Sequence, residues 1–306
     1  MKRAIVLLTL LCVGALSLWA AALQNSAGSQ GGGGAQAAPG LEIQKIKDNL
    51  YMITTPMFGA GNTAVFVTET GVVLVDTKTP GNGQAILDKV KTVTPKPITT
   101  IINTHTHADH TGSNDFFGTK VEFVVQENTK ANMAKMPEFS GDKAKFLPQK
   151  TYKDKLTLFK GKDAIDLYYF GRAHTNGDTF VVFPALRVMH SGDAFAGKNT
   201  PLIDTNNGGS AVEYPVTLSK AIAGIKNVDT IITGHSPLMK PADLQEYADF
   251  NKDFLAWVRG EIKAGKTVDQ AAGEYKLPEK YKAYTIPAFL GGIKGNIQTA
   301  YDELKK

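Results

Sequence analysis

His105-Thr106-His107-Ala108-Asp109-His110 gathers three of the chain's six histidines into one short run, directly after the apolar segment Thr99 to Asn103. Imidazole and carboxylate are the ligands a borderline divalent ion takes where thiolate is absent, and a strand passing into a loop lets neighbouring side chains converge on one point. Alternate residues of an extended segment point the same way, so His105 and His107 can grip one ion. Asp109 and His110, past the turn, can face a second. Three more residues stand at the ends of predicted strands beside small turn residues: His174 in Gly171-Arg172-Ala173-His174-Thr175-Asn176-Gly177-Asp178, Asp193 in Ser191-Gly192-Asp193, and His235 in Thr233-Gly234-His235-Ser236. His190 precedes Asp193 out of phase with these positions and reads as structural.

Thiolate is scarce in this chain. Its one cysteine, Cys12, lies in an apolar run behind Lys2 and Arg3, which is the layout of a secretory signal. Ala20, Ala21 and Ala22 supply a cleavage site of small residues. The run Ala4 to Leu23 is also close to the ~20 residues that span a bilayer, so residues 1–23 are expected to be a signal peptide or an N-terminal anchor. Export implies a periplasmic or secreted protein with no membrane association unless that segment is retained. Cleavage would leave a mature chain without thiols, hence without disulfides, whose metals are held by His and carboxylates. It would remove two basic residues and no acid, leaving 32 basic against 29 acidic side chains. That excess is too small to point to nucleic acid, whose binders concentrate basic residues in patches.

Residues 24–40 are rich in Gly, Ala, Ser and Gln and read as a flexible linker. Folded structure is expected over 41–306. Glu42 to Ile46, Leu50 to Thr54, Thr63 to Thr68 and Val72 to Asp76 read as a strand meander, Gln84 to Val93 as a helix and Ile98 to Asn103 as a buried strand. The second half predicts strands at Lys120 to Gln126, Leu156 to Phe159, Ala164 to Phe170, Thr179 to Phe183, Arg187 to His190 and Thr230 to Thr233. Helices are expected around Glu127 to Met136, Val212 to Lys226, Pro241 to Ala264 and Ile297 to Lys305. Meanders that end in helices indicate an α+β layered sandwich, not a doubly wound parallel sheet.

The ordered set H-x-H-x-D-H, downstream His, Asp and final His resembles the metallo-β-lactamase superfamily over about Leu41 to His235, including Leu74-Val75-Asp76 as a strand ending in a structural Asp. The resemblance implies a four-layer αββα sandwich and two zinc ions. His105, His107 and His174 would hold the first metal, Asp109, His110 and His235 the second, and Asp193 would bridge them. The activity implied is hydrolysis, a metal-bridging hydroxide oriented by the catalytic Asp109 attacking the ester, thioester, lactone or amide-type carbonyl, β-lactams included, of a small-molecule substrate. Asp at 193 is typical of the glyoxalase II, lactonase and sulfatase-like branches, whereas many zinc β-lactamases carry Cys or Ser there. No glutathione-binding basic set is evident in the C-terminal region, which counts against glyoxalase II. The same resemblance leaves an iron-dependent sulfur dioxygenase as the alternative, and a non-catalytic metal-binding module as a third reading.

Several neighbouring groups have candidate supporting roles. Asp76 can orient a ligand histidine. Met57 to Asn62 is a Gly-rich hairpin tip that can serve as a flap or be a plain turn, and Asn206 to Gly209 is a polar loop that can line the pocket. Lys198 is a candidate for binding a substrate carboxylate or an ordinary solvated lysine. Phe250, Phe254, Trp257, Tyr281, Tyr284 and Phe289 are expected mostly in the core, with a cover over the site or a dimer contact as the alternatives.

Overall fold

The computed structural model describes residues 40–55 and 60–305. The expected export segment, the linker up to residue 39 and the Met57 to Gly59 part of the hairpin lie outside the described residues. Short runs rich in Val, Ile and Thr form two mixed sheets. In the first, β1 (Glu42–Lys47), β2 (Leu50–Thr54), β3 (Thr63–Val67) and β4 (Val72–Val75) make the expected antiparallel meander. The next strands, β5 (Ile98–Ile102), β6 (Glu122–Gln126) and β7 (Lys150–Tyr152), then run parallel to β4 in strict chain order.

Parallel neighbours need crossovers, and these contain helices α1 (Gly83–Lys91), α2 (Ala108–Thr111) and α3 (Glu127–Met133). The second sheet holds β8 (Lys155–Leu158), β9 (Ile165–Tyr168), β10 (Phe180–Phe183) and β11 (Val188–His190), antiparallel throughout, with β12 (Thr230–Ile232) parallel to β11. Helices α4 (Tyr214–Gly224), α5 (Pro241–Lys263), α6 (Val268–Glu274) and α7 (Gly292–Leu304) follow. The expected helix from Ile297 begins five residues earlier, at Gly292.

Alternation along the strands sorts side chains into three apolar layers. Ala64, Phe66, Val73 and Val75 meet Leu167, Val181, Phe183 and Val188 between the sheets, with Phe66 and Phe183 rings 5.0 Å apart. The opposite face of the first sheet, through Val65, Val72, Leu74 and Ile101, packs on Ile86 and Val90 of α1. The opposite face of the second, through Phe180, Val182 and Met189, packs on Tyr214, Leu218, Tyr247 and Val258 of α4 and α5. The result is the four-layer αββα sandwich. Phe250, Phe254, Tyr281 and Tyr284 are buried in the last layer, whereas Phe289 stands exposed.

Candidate metal centre

Strands β4 and β5 are parallel, as are β11 and β12, so Asp76, the Thr104-His105 turn, Asp193 and His235 emerge together at the strands' carboxyl ends. These turns are held to one another through the backbone. Asp76 N–H donates to Ile102 O at 2.9 Å and Ser191 N–H to Ile232 O at 3.0 Å. Asn62 Nδ2 donates to Thr233 O and Ser236 O at 3.0 and 2.9 Å, closing the loop around His235. The Tyr214 hydroxyl donates to Asp193 O at 3.0 Å. Gly234 lies where a Cβ would collide with Asp193 Oδ1, so close packing of the two turns requires glycine there.

All seven residues singled out in the sequence come together in two donor sets, His105 with His107 and His174, and Asp109 with His110, Asp193 and His235. In the first set, His107 Nδ1 lies 3.2 Å from His105 Nε2 and 2.9 Å from His174 Nε2. The outward nitrogens explain why. His107 Nε2 faces Asp204 Oδ2 at 2.6 Å, and His174 Nδ1 faces Leu202 O at 2.7 Å. His105 Nδ1 faces Thr104 Oγ1 at 3.0 Å, a hydroxyl whose own proton goes to Asp76 Oδ2 at 2.8 Å.

Each outward partner is an acceptor, so it fixes the tautomer with the proton outside and the lone pair inside. Three lone pairs then converge with no proton between them, an arrangement that a cation satisfies and a hydrogen-bond network does not. Burial reinforces it. It pushes His174 down to about 4, with His107 adding to the shift, and pushes His105 well below the ordinary imidazole value, with His110 adding to it.

The second set has the opposite electrostatics. His110 Nε2 lies 3.4 Å from Asp109 Oδ2 and 3.3 Å from Asp193 Oδ1, and His235 Nε2 lies 3.1 Å from Asp109 Oδ2 and 3.3 Å from Asp193 Oδ2. Burial works against charge on His235, but Asp193 and Asp109 outweigh it and hold the ring up to about 9. His110 is raised for the same reason, with Asp76 at 2.7 Å from its Nδ1 contributing. Burial opposes the charge on Asp109 and Asp193 too, and the adjacent histidines nevertheless hold both well below the usual carboxylate range. Two ionised carboxylates therefore draw positive charge into this half. Asp193 Oδ1 is buried without a hydrogen-bond partner of good geometry, and Oδ2 lies 3.7 Å from His174 Nε2 in the other set. A carboxylate that faces both sets and has an unsatisfied oxygen fits a metal pair.

Four residues of this centre carried no site signal in the sequence. Asp204 sits just before Asn206 to Gly209, and its Oδ1 caps that turn through Asn206 N and Asn207 N while its Oδ2 holds His107. Thr104 relays Asp76 to His105. Asp178 accepts from Thr175 N and Oγ1, fixing the loop that carries His174, and burial raises its carboxyl to about 7. Lys78 is buried with its Nζ 3.1 Å from Ile53 O and 2.7 Å from Gly61 O, and burial lowers it to about 7 despite nearby Asp76.

Asp76 occupies the orienting position expected of it. His190 is structural: its Nδ1 accepts from Gly192 N at 3.0 Å and its Nε2 faces Asn62 O at 3.2 Å. Lys198 lines the cavity above the centre, but its Nζ is paired with Asp243 Oδ1 and Glu246 Oε1, both at 3.1 Å.

A two-sheet sandwich with clustered His and Asp side chains at its strand ends defines a candidate metal-binding centre. The profile of the metallo-beta-lactamase superfamily matches residues 56–235, and the chain belongs to that superfamily. It is 24% identical over 227 residues to the metallo-beta-lactamase type 2 of Elizabethkingia meningoseptica, spanning 72% of this chain and 88% of the relative. It is 26% identical over 196 residues to the metallo-beta-lactamase IND-1 of Chryseobacterium indologenes, spanning 62% and 80%. Among solved structures, a metallo-beta-lactamase from Pontibacter korlensis superposes with a TM-score of 0.60 at 21% identity, over 70% of this chain and 99% of that one.

Proposed function

We propose that this protein is an exported dinuclear zinc hydrolase that opens an ester, thioester, lactone or amide-type carbonyl, β-lactams among them, in a small-molecule substrate. The observation that carries the reading is the pairing of a lone-pair-only histidine set with a carboxylate-rich set across the unsatisfied Asp193. His105, His107 and His174 would hold one zinc, Asp109, His110 and His235 the other, with Asp193 between them. Metals held there would supply a hydroxide at neutral pH and a Lewis acid for the substrate carbonyl.

The chain's own groups do the rest. Asp109 lines the cavity, and the neighbouring histidines hold it ionised. A carboxylate so acidic is a weak base but a firm acceptor, so its work is to hold the nucleophile's proton and aim its lone pair at the substrate. Asp76, Thr104 and Asp204 fix the rings of His110, His105 and His107, so little reorganisation accompanies reaction.

The test is elemental analysis of protein produced without added metal, together with turnover of Asp109→Asn. About two zinc per chain, and a 10²-fold or greater loss of kcat in Asp109→Asn with the first site still loaded, are expected. One iron per chain points instead to the sulfur-dioxygenase chemistry of the same fold. A folded protein without metal, or equal turnover in the variant, overturns the proposal.

A further inference from the structure

A cavity of about 590 Å³ opens from the metal centre, with His107, Asp109, His174, Asp193 and His235 on its floor. Its lining also includes the apolar side chains of Leu202, Met239, Pro287, Phe289 and Leu290. Three of these five come from the segment between α6 and α7, beyond residue 235 where the superfamily profile stops matching. That segment is tied to the site, because Thr285 N–H donates to Lys198 O at 3.0 Å and Thr200 N–H donates to Thr285 O at 2.8 Å. It also keeps apolar groups in water. Ile286, Phe289 and Leu290 are 45%, 51% and 40% exposed, and Leu238, beside Met239, is 36% exposed. Leu290 does so from a left-handed backbone, φ 54°. Phe289 and Leu290 both line the cavity and stay exposed, and apolar side chains so placed beside a polar reaction centre are the usual mark of a site that takes up apolar ligand surface.

Charge points the same way. Lys198 is the one Lys or Arg among the described residues that line this cavity. Its two carboxylate partners, Asp243 and Glu246, leave the trio with a net charge of −1. Among the described residues that line the cavity, an anionic substrate group therefore finds no unpaired Lys or Arg. A carboxylate brought beside the trio meets repulsion.

Resting on the hydrolase reading above, we propose that the site selects uncharged esters or lactones bearing a long alkyl or aryl chain, which lies along Leu202, Met239, Pro287, Phe289 and Leu290. Substrates whose chain ends in a carboxylate are discriminated against. The substrate class is thus an apolar acyl compound, and specificity resides in the C-terminal segment.

Two measurements on the metal-loaded full chain test this. The first is kcat/KM for p-nitrophenyl acetate, butyrate, hexanoate and octanoate, with p-nitrophenyl hydrogen adipate as the carboxylate-bearing control. The second is calorimetric binding of 2-hexanone, 2-octanone and 2-decanone, which contain the carbonyl and chain but cannot be hydrolysed. Both kcat/KM and ketone affinity should rise with chain length, by up to about fourfold per methylene. The rise should be shallower in Phe289→Ser and Leu290→Ser, and the adipate ester should lag hexanoate at least tenfold. Glu246→Gln, which frees Lys198 of one partner, should narrow that lag.

Ester turnover that ignores chain length, with flat ketone affinities, overturns the pocket assignment and leaves the hydrolase reading standing. Ketone affinity that climbs with length while no ester is turned over supports the pocket and overturns the hydrolase reading. A dimer by sedimentation that Phe289→Ser dissociates, with flat ketone affinities, makes the exposed residues an interface between copies and overturns the proposal.

Discussion

Asp204→Asn is the substitution that most directly tests how the first donor set is built. Asp204 is a buried carboxylate saturated with donors: Oδ2 takes His107 Nε2 at 2.6 Å and Asn207 Nδ2 at 2.6 Å, while Oδ1 takes Asn206 N at 2.9 Å and Asn207 N at 3.3 Å. Asparagine has the same shape but replaces one oxygen with an NH₂ group. If the amide takes the Oδ1 position, it opposes two backbone N–H donors and the turn through Asn207 loses its cap. If it takes the Oδ2 position, it donates to His107 Nε2, which drives the ring proton to Nδ1 and removes the lone pair facing His105 and His174.

Either orientation leaves at least one buried donor unpaired, at about 1–3 kcal/mol. Groups that orient metal-ligating histidines contribute about 10–100-fold in metal affinity when removed, equivalent to about 1.4–2.7 kcal/mol. The first figure is a cost in stability and the second a loss of metal affinity, and the two are similar in size. The assay is competition of wild type and Asp204→Asn against a chromophoric zinc chelator, with far-ultraviolet circular dichroism to confirm folding. Zinc at one site should weaken by about 10–100-fold, while the site holding Asp109, His110 and His235 changes little. A folded variant with both affinities within twofold of wild type would refute the claim that Asp204 sets the His107 tautomer.

Three further perturbations have outcomes fixed by the geometry. Asp178 is favoured in its protonated form in the folded protein, from an ordinary 3.8 up to about 7, so its contribution is present below pH 3.8 and is lost as pH rises through 7. Asp178→Asn should remove that loss, making the stability difference between variant and wild type change by up to about 1.4 kcal/mol per pH unit over this window, read by urea denaturation at several pH values. Lys78 behaves in the opposite sense. Lowered from 10.5 to about 7, it contributes above pH 10.5 and loses that contribution as pH falls through 7, so wild-type stability should gain relative to Lys78→Met as pH rises across that range. Gly234→Ala puts a methyl group against Asp193 Oδ1 and 3.0 Å from Gly192 O, and should cost about 1–3 kcal/mol in thermal unfolding and weaken zinc at the Asp109 site; an unchanged melting temperature would show that the two turns can separate freely.

The part of this molecule that was legible in its sequence is the part written in contiguous residues. The His105 to His110 run, and the His174, Asp193 and His235 turns, announce themselves because metal ligands must be His or carboxylate and must sit where strands end. Their predicted convergence in space is what the two parallel strand pairs provide. Long periodic segments such as α5 were equally plain. Strand β7 has no counterpart among the expected strands because Lys150-Thr151-Tyr152 is short and carries little apolar pattern, and its place in the sheet is decided by pairing with β6. Helix α6, of seven residues, is likewise too short to show a period in the sequence.

The groups that steer the ligands were hidden for a different reason. Asp204 lies 97 positions from His107, and Lys78 is fixed by carbonyls of Ile53 and Gly61; an Asp before a turn or a Lys after a strand has an ordinary local explanation. Only the fold shows that these bonds are made to the site. The same holds for the cavity wall. Phe289 belongs to a set of aromatics expected mostly in the core, with a cover over the site as an alternative, and the tie between Thr285 and the Lys198-Asn199-Thr200 strip holds its loop at the cavity instead of in the helical layer. Ligand identity in this fold is therefore local and readable, whereas ligand orientation and the lining of the cavity rest on contacts made across the chain.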